Sequence, residues 1–284
     1  MMPRVRPFRL PTLPNGRLTR DGYLAIKATT DRDALHLAAE RKAERELRLG
    51  LFEWVQSVLP DITEANAHMI AQQLRDKDIY FRDVLQSALA YSADLGTNIA
   101  VDGLEAVGMG FDYTLANVDA MDWARRYTNQ LMRDLNVTND AIVGEAVTRW
   151  LENSNPIQTL RDDIAQRVPG AYGRSRSKRA ELIARTETTR AIAEGERTAY
   201  RASGVVSGMR WQTKNDEIVC PYCGSLNQQV VSIDGGAFFD ALPPELQAKL
   251  RGRTFEVPPA HPGCRCGISP VVIDVPEVAE NASR

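Results

Sequence analysis

The stretch that decides the fold is SKRAELIARTETTRAIAEGERTAYRASG, residues 177–204. It ends at Gly204, and glycine is typical of the position just after a helix, so the sequence predicts a long helix here. One line of positions, spaced by three or four residues, carries only small residues. These are Ala180, Ala184, Thr188, Ala191, Gly195 and Ala199. Because small residues let a second backbone approach closely, we expect this helix in the middle of a helical bundle.

A turn or hinge is predicted over 169–177, just before this helix. The preceding short helix is predicted to have Asn155 as its N-cap and Pro156 in its first turn, and to end near Val168. A basic cluster spans the hinge and the helix start. Its members are Arg174, Arg176, Lys178 and Arg179. These side chains are either solvated at the start of the helix, or they contact DNA phosphates or an acidic partner.

The sequence from about 31 to 203 predicts helix almost throughout. A first helix is expected from an N-cap at Thr30 or Asp31 to a stop at Pro60, because apolar residues recur at three- and four-residue spacing over 47–58. DITE, residues 61–64, resembles a capping box that starts at Asp61 and includes Glu64. Further helices are predicted over about 63–75, 79–107, 117–134 and 138–152.

Residues 1–30 are predicted as an extended basic arm. Prolines block regular helix and favour extended conformations, and four of them are Pro3, Pro7, Pro11 and Pro14. The basic residues are Arg4, Arg6, Arg9, Arg17, Arg20 and Lys27, against Asp21 alone. The arm is either a loosely draped tail or a segment that docks on a neighbouring subunit.

After residue 204 the pattern changes from helical to β. Segments 205–213 and 228–235 are short, rich in valine and bounded by Gly, Asn and Asp, which is typical of strands. A short helix is predicted over 242–252 and a last strand over 267–275. The sequence therefore predicts an α+β fold, with a mainly α-helical body and a small C-terminal lobe that contains β-structure.

All four cysteines of the chain lie in this C-terminal lobe, in two groups. CPYC, residues 220–223, spaces two thiols so that both can bind one tetrahedral ion from a tight turn. HPGCRC, residues 261–266, adds an imidazole and two more thiols. Soft sulfur with at most one imidazole favours zinc. We therefore expect a structural zinc ion that braces the lobe, bound by Cys220, Cys223, Cys266 and either His261 or Cys264.

Two disulfides, or unligated cysteines packed in a core, are the alternatives to a metal site. In a reducing compartment clustered cysteines are more often metal ligands than disulfides. A catalytic metal is disfavoured, because the chain has no HExxH motif and no H-x-E motif before its first cysteine pair. We expect no enzymatic activity.

Charge and hydropathy set wider limits on function. The net charge is −2 and the sequence pI is about 6.0. The overall charge therefore does not attract this protein to nucleic acid. No run reaches the roughly 18 consecutive apolar residues that a membrane span needs. We expect a soluble intracellular protein with no membrane contact.

Three segments together resemble one known family. They are IARTETTRAIAEGERTAYRASGV (183–205), WQTKNDEIVCPYCGSLNQQVV (211–231) and VPPAHPGCRC (257–266). The sequence is similar to the phage head morphogenesis family that includes protein F of phage Mu and the SPP1-type minor head protein. The matching positions are Arg185, Thr186, Glu187, Trp211, Asp216, Cys220, Cys223, His261, Pro262, Cys264, Arg265 and Cys266. Gln228 is a departure, because the family often has glycine in this turn.

The resemblance covers roughly residues 120–270 and implies a low-copy, non-enzymatic structural protein of a tailed-phage virion. Such a protein would be assembled in the host cytoplasm and would lie inside the capsid near the portal vertex. It would contact the portal protein and head proteins, with packaged DNA as a further candidate partner. It would act in head assembly, DNA packaging or DNA delivery. The alternative is a zinc-containing nucleic-acid-binding protein, or with less support a nuclease, carried in the capsid.

These inferences divide the chain into four predicted parts: an arm over 1–30, a helical domain over 31–170, a head morphogenesis domain over 171–276 and a tail over 277–284. Arg185 and Glu187 are two residues apart on the long helix, so their side chains point in different directions. We expect each to reach across to the C-terminal lobe, with Asp216 and Arg265 as opposite-charge partners. Trp211 is expected in the core of the lobe.

Overall fold

The computed structural model describes residues 30–106, 108–109, 111–170, 177–214, 219–250 and 252–272. The predicted arm up to residue 29 and the predicted tail over 277–284 lie outside the described residues. The same is true of Arg174, Arg176 and Asp216.

The helical part of the described chain contains α1 (Thr30–Gln56), α2 (Ile70–Asp76), α3 (Ile79–Glu105), α4 (Tyr113–Asn153), α5 (Ile157–Arg167) and α6 (Lys178–Ser203). Short 3₁₀ turns, Leu59–Asp61 and Glu64–Met69, connect α1 to α2. The C-terminal part contains β1 (Val206–Gln212), α7 (Pro221–Leu226), β2 (Val230–Ser232), a 3₁₀ turn (Phe238–Ala241), α8 (Pro244–Lys249) and β3 (Gly267–Val272). None of the described helices is both long and apolar enough to span a bilayer.

Helix α6 lies in the middle of the bundle, as its small-residue line predicts. Helices α1, α3 and α4 all pack against it, and every residue of the line is buried. At the crossing with α3 a Cβ atom added to Gly195 would lie 2.1 Å from the carbonyl oxygen of Ala93. A Cβ added to Gly96 would lie 2.1 Å from the carbonyl oxygen of Ile192. The two backbones therefore touch at a pair of glycines.

Both ends of α6 match the prediction. Ser177 is the N-cap, and its hydroxyl accepts a hydrogen bond from the backbone N–H of Ala180 (3.0 Å). Gly204 closes the other end with a φ of +66°, a left-handed conformation that glycine adopts without a steric penalty.

Helix α4 is continuous from Tyr113 to Asn153, so the predicted break between 134 and 138 is wrong. The residues at the expected break are modest helix formers, but the buried stripe passes through them without interruption. Leu135, Asn139 and Val143 are buried at four-residue spacing. Packing of this face against the bundle outweighs the local propensity.

The predicted capping box at Asp61 is also wrong by two residues. The turn that follows has Thr63 as its N-cap, and the backbone N–H of Thr63 donates to Asn66 Oδ1 (2.7 Å). Asp61 instead ends the preceding 3₁₀ turn and pairs with Lys77 (2.6 Å). A carboxylate that pairs with a lysine from a later segment is not available as a cap.

The short helix α5 starts one residue later than predicted. Pro156 itself is the N-cap, with extended backbone angles and no capping side-chain hydrogen bond, so Asn155 does not cap the helix. The end near Val168 is as predicted, because Val168 is the C-cap.

The C-terminal lobe contains a three-stranded antiparallel sheet in the order β2-β1-β3. Its hydrophobic cluster also includes residues of α3, α4 and α6, among them Leu104, Ala116 and Tyr200. Trp211 on β1 is fully buried and lies edge-on to Phe238, with ring centroids 5.1 Å apart. The predicted place of Trp211 in the core of the lobe is confirmed. The predicted α+β fold class, a helical body with a small β-containing lobe, is confirmed as well.

Candidate metal centre

The first ligand turn follows β1 and carries two of the candidate cysteines. Cys220 is the N-cap of α7, and the backbone N–H of Cys223 donates to Cys220 Sγ (3.4 Å). Thr213, just after β1, donates from its hydroxyl to the carbonyl oxygen of Cys223 (2.8 Å). The end of β1 therefore fixes the position of this turn.

The second ligand turn, residues 261–266, leads directly into β3. The backbone N–H of Cys264 donates to the carbonyl of His261 (3.2 Å), and that of Cys266 donates to Cys264 Sγ (3.5 Å). Gln212 at the end of β1 pairs with Gly267 at the start of β3. This strand register brings the two ligand turns to the same end of the sheet.

All five candidate ligands meet in one contiguous cluster. Cys220 Sγ lies 3.0 Å from His261 Nε2, and Cys223 Sγ lies 3.3 Å from the same atom. Cys223 Sγ also lies 3.7 Å from Cys264 Sγ. The donor atoms form two mutually close groups that share Cys223: one with Cys220 and His261, the other with Cys264 and Cys266. All four cysteines are free, so the disulfide alternative is not the arrangement of this structure.

His261 is in the orientation that a metal-binding histidine needs. Its Nδ1 lies 2.9 Å from the carbonyl oxygen of Pro262, which can only accept, so Nδ1 carries the proton. In a neutral ring Nε2 then has a free lone pair. That lone pair is on the atom that faces Cys220 and Cys223.

The sulfur atoms also influence one another's protonation. The pKa of the Cys264 thiol is lowered, because the thiols of Cys223 and Cys266 donate hydrogen bonds to its sulfur. Hydrogen bonds with Cys264 and Cys266 raise the pKa of Cys223, and burial raises it further. Metal ligation requires deprotonated thiols, and the lowered pKa of Cys264 favours its deprotonation.

The donor set fits a tetrahedral zinc ion. Zinc–sulfur bonds of about 2.3 Å imply sulfur–sulfur separations of about 3.8 Å and sulfur–nitrogen separations of about 3.6 Å. The Cys223–Cys264 distance of 3.7 Å already has this value, and the two contacts to His261 Nε2, at 3.0 and 3.3 Å, need a small opening. Five donors exceed the four positions of a closed site. The choice of Cys220, Cys223, Cys266 and one of the other two stays a prediction.

The predicted role of Arg185 and Glu187 is wrong. Arg185 pairs with Glu40 on α1 (2.9 Å) and with Glu181 on its own helix (3.2 Å). Glu187 accepts a hydrogen bond from the hydroxyl of Tyr127 on α4 (2.9 Å). Both side chains therefore join α6 to the helical body, because the bundle surrounds α6 on the sides to which they point. Arg265, one of the two predicted partners, is exposed, and the other, Asp216, lies outside the described residues.

The contacts between α6 and the second ligand turn come instead from threonines. The backbone N–H of Gly263 donates to Thr186 Oγ1 (2.9 Å), and Thr189 Oγ1 donates to the carbonyl of Cys264 (2.9 Å). Thr186 was part of the recognised motif, but Thr189 and Thr213 were missed. Each lies two residues after a motif residue, Glu187 or Trp211, and that spacing gives no signal without the tertiary structure.

The basic cluster at the start of α6 is not uniform. Lys178 is exposed, whereas Arg179 is largely buried and donates to the carbonyl oxygen of Val168. Burial lowers the pKa of Arg179 to about 10. Arg179 therefore holds the end of α5 against the start of α6. A contact of Lys178 or Arg179 with DNA or a partner stays a prediction.

Gln228 keeps the turn geometry for which the family often has glycine. Its φ is +66°, and its backbone N–H donates to the carbonyl of Trp211 (3.0 Å). Its side chain donates to Gln212 Oε1 (3.1 Å). The departure from the family pattern changes the residue and leaves the left-handed turn in place.

Residues 141–269 match the family model described as Phage Mu protein F like protein. This range contains the second part of α4, all of α5 and α6, and every ligand of the candidate metal centre. The resemblance predicted from the motifs is confirmed. Comparison with curated proteins and with solved structures found no match.

Proposed function

We propose that this chain is a non-enzymatic structural protein of a tailed-phage head, present in low copy and associated with the portal. In this proposal it is assembled in the host cytoplasm, lies inside the capsid near the portal vertex, and acts in head assembly, DNA packaging or DNA delivery. Its partners are the portal protein and other head proteins, and packaged DNA is a further candidate partner. The observation that carries the proposal is the family match over 141–269, which includes both ligand turns.

We also propose that the metal is zinc and that its role is structural. Among the described residues, the two donor groups consist only of cysteine thiols and one imidazole. Catalytic zinc sites keep a coordination position open for water, whereas structural sites are closed by four protein ligands. Five converging donors favour a closed site. A bound zinc ion would supply a cross-link between two turns that are far apart along the chain.

The head assignment is tested on particles. We expect the chain to co-sediment with purified heads, and with isolated portal rings, at a copy number far below that of the major capsid protein. A Cys223→Ser variant serves as the matched control for the metal-braced lobe and should associate less. A chain that is absent from intact particles and does not bind portal rings contradicts the proposal.

The competing hypothesis is a zinc-containing DNA-binding protein or nuclease. It predicts DNA affinity that falls steeply with salt concentration, and, for a nuclease, metal-dependent cleavage that a His261 substitution abolishes. Arg179, one of the cations on which this hypothesis depends, donates to the carbonyl oxygen of Val168 in its own chain. Salt-independent or absent DNA binding by the purified chain would contradict this hypothesis and favour the structural proposal.

A further inference from the structure

Three consecutive residues of α6, Arg185, Thr186 and Glu187, contact three different parts of the molecule. Arg185 pairs with α1, and Glu187 accepts a hydrogen bond from α4. Thr186, between them, accepts the hydrogen bond from Gly263 in the second ligand turn. Successive residues of a helix point about 100° apart, so three neighbours can reach three different elements. This part of α6 is where the metal-binding lobe joins the helical body.

Thr189 adds a second contact, one helical turn further along the same face of α6. Its hydroxyl donates to the carbonyl of Cys264, so its oxygen can accept from a further donor. His36 Nε2 on α1 lies 3.3 Å from that oxygen. Since the hydroxyl proton is already used, His36 carries its proton on Nε2 and donates to Thr189. Helix α1 is thereby linked through Thr189 to a candidate metal ligand.

The two hydroxyls bind the ligand turn on both sides of one peptide unit. The hydroxyl of Thr186 accepts a hydrogen bond from the N–H of Gly263. The hydroxyl of Thr189 donates to the carbonyl of Cys264, which is itself a candidate ligand. Both threonines are buried, with 9% and 2% of their surfaces exposed. Hydrogen bonds shielded from water are costly to lose, because the orphaned group is not solvated. The two bonds therefore fix both the position and the orientation of the turn.

We propose that Thr186 and Thr189 are positioning residues that hold the second ligand turn, residues 261–266, in register with Cys220 and Cys223, and so set the metal affinity of the site. The proposal rests on the proposed metal site. It makes α6 the element through which metal binding and the packing of the helical body influence each other.

The test measures the metal affinity of the full chain by competition with a chromophoric zinc chelator. Thr186→Val and Thr189→Val keep the shape of the side chain and remove the hydroxyl. Loss of a hydrogen bond that orients a metal ligand typically weakens metal binding by about 10- to 100-fold. We expect a loss of about 10-fold for each variant. Thr186→Ser and Thr189→Ser keep the hydroxyl and should retain an affinity within a few-fold of wild type.

The matched control is Thr128→Val on α4. Thr128 is also buried, and its hydroxyl donates to the carbonyl of Ala124 in its own helix (2.7 Å). This variant should bind zinc like the wild type even where it lowers thermal stability, because Thr128 does not contact a ligand turn. Hydrogen exchange gives a second readout: the Gly263 amide should be protected in the zinc-bound wild type and should lose that protection in Thr186→Val.

The outcomes separate the two proposals. Zinc binding by the wild type with unchanged affinity in both valine variants would overturn the positioning role and leave the metal site standing. Serine variants that bind zinc as weakly as the valine variants would also overturn it, since the hydroxyl would then not be the cause. If one valine variant does not fold, the valine and serine variants at the other threonine decide the matter. A wild-type chain that binds no zinc contradicts both proposals.

Discussion

At the scale of the residue, Gln228 is a non-glycine residue at a backbone position that favours glycine. A non-glycine residue in the left-handed region is less stable there by about 1 kcal/mol or more, and Gln228 has a φ of +66°. Its side-chain hydrogen bond to Gln212 offsets part of this cost. The position is therefore strained for the residue that occupies it.

We expect Gln228→Gly to raise the free energy of unfolding by about 0.5 to 1 kcal/mol, because the backbone strain outweighs the lost side-chain bond. Denaturant unfolding of the metal-loaded chain measures this. Gln228→Ala is the control, since it loses the bond to Gln212 but keeps the strain, and it should be less stable than wild type. A glycine variant no more stable than the alanine variant would show that the turn is not strained.

Glu196 is a second residue with a measurable consequence. It is fully buried, pairs with Arg32, and has one oxygen with no hydrogen-bond partner within the described part of the chain. Burial raises its pKa from 4.5 to about 7, although Arg32 opposes the shift. The folded chain therefore binds this proton more tightly than the unfolded chain, and its stabilising effect is lost as the pH rises from about 4.5 to about 7.

The predicted comparison is between wild type and Glu196→Gln, a neutral variant of the same size. Relative to Glu196→Gln, the wild type should lose roughly 1 to 3 kcal/mol of stability between pH 5 and pH 7.5. Other carboxylates and the metal ligands titrate equally in both proteins, so the difference isolates Glu196. Parallel stability curves for the two proteins would mean that this carboxylate is already ionised at pH 5.

At the scale of the element, the crossing of α3 and α6 depends on two glycines. A Cβ on Gly195 or on Gly96 would lie 2.1 Å from a carbonyl oxygen of the facing helix, and a backbone atom cannot turn aside as a side chain does. We expect Gly195→Ala and Gly96→Ala each to lower the free energy of unfolding by about 2 kcal/mol or more, because the helices must separate. Thermal unfolding followed by circular dichroism measures the loss.

Gly144 on α4 provides the matched control for these variants. It is exposed in a helix, and a Cβ added there would meet nothing within 4 Å. Gly144→Ala should therefore raise stability by about 0.5 to 1 kcal/mol, the ordinary gain of alanine over glycine in a helix. If Gly195→Ala proved as stable as Gly144→Ala, α3 and α6 would not be in contact at this crossing.

The elements differ in how far they could be predicted from the sequence. The line of small residues on α6 is a local pattern with one physical meaning, and it predicted both the helix and its central place. The continuity of α4 through Leu135 and Asn139 depends on packing partners that are distant along the chain, so local propensity alone gave a break. The cap at Thr63 was missed because Asp61 pairs with a lysine from a later segment.

The candidate ligands could be predicted from the sequence, whereas the residues that position them could not. Cysteine and histidine spacing carries the chemistry of the metal, and the sheet register brings both turns together. The bonds from Thr186 and Thr189 to the second turn span about 75 residues, and threonine has many ordinary roles in a helix. Only the folded chain distinguishes these two from the rest.

At the scale of the whole molecule, the described chain has two parts of different kinds, and the candidate metal centre lies in the C-terminal one. The helical bundle has an extensive apolar core, whereas the lobe has a three-stranded sheet and a smaller cluster that includes Cys223, Cys264 and Cys266. A structural zinc ion adds free energy of folding of about 10 kcal/mol in small zinc modules. The stability of the lobe, and of any surface it offers to a partner protein, should therefore depend on the ion.

The most direct measurement is zinc-edge X-ray absorption of the purified chain, together with its metal content. We predict one zinc ion per chain, with three or four sulfur ligands at about 2.3 Å and at most one nitrogen at about 2.0 Å. Cys223→Ser should lose most of the metal, because Cys223 belongs to both donor groups. A chain that folds without metal, or an ion surrounded mainly by oxygen, would contradict the claim that one ion joins the two ligand turns.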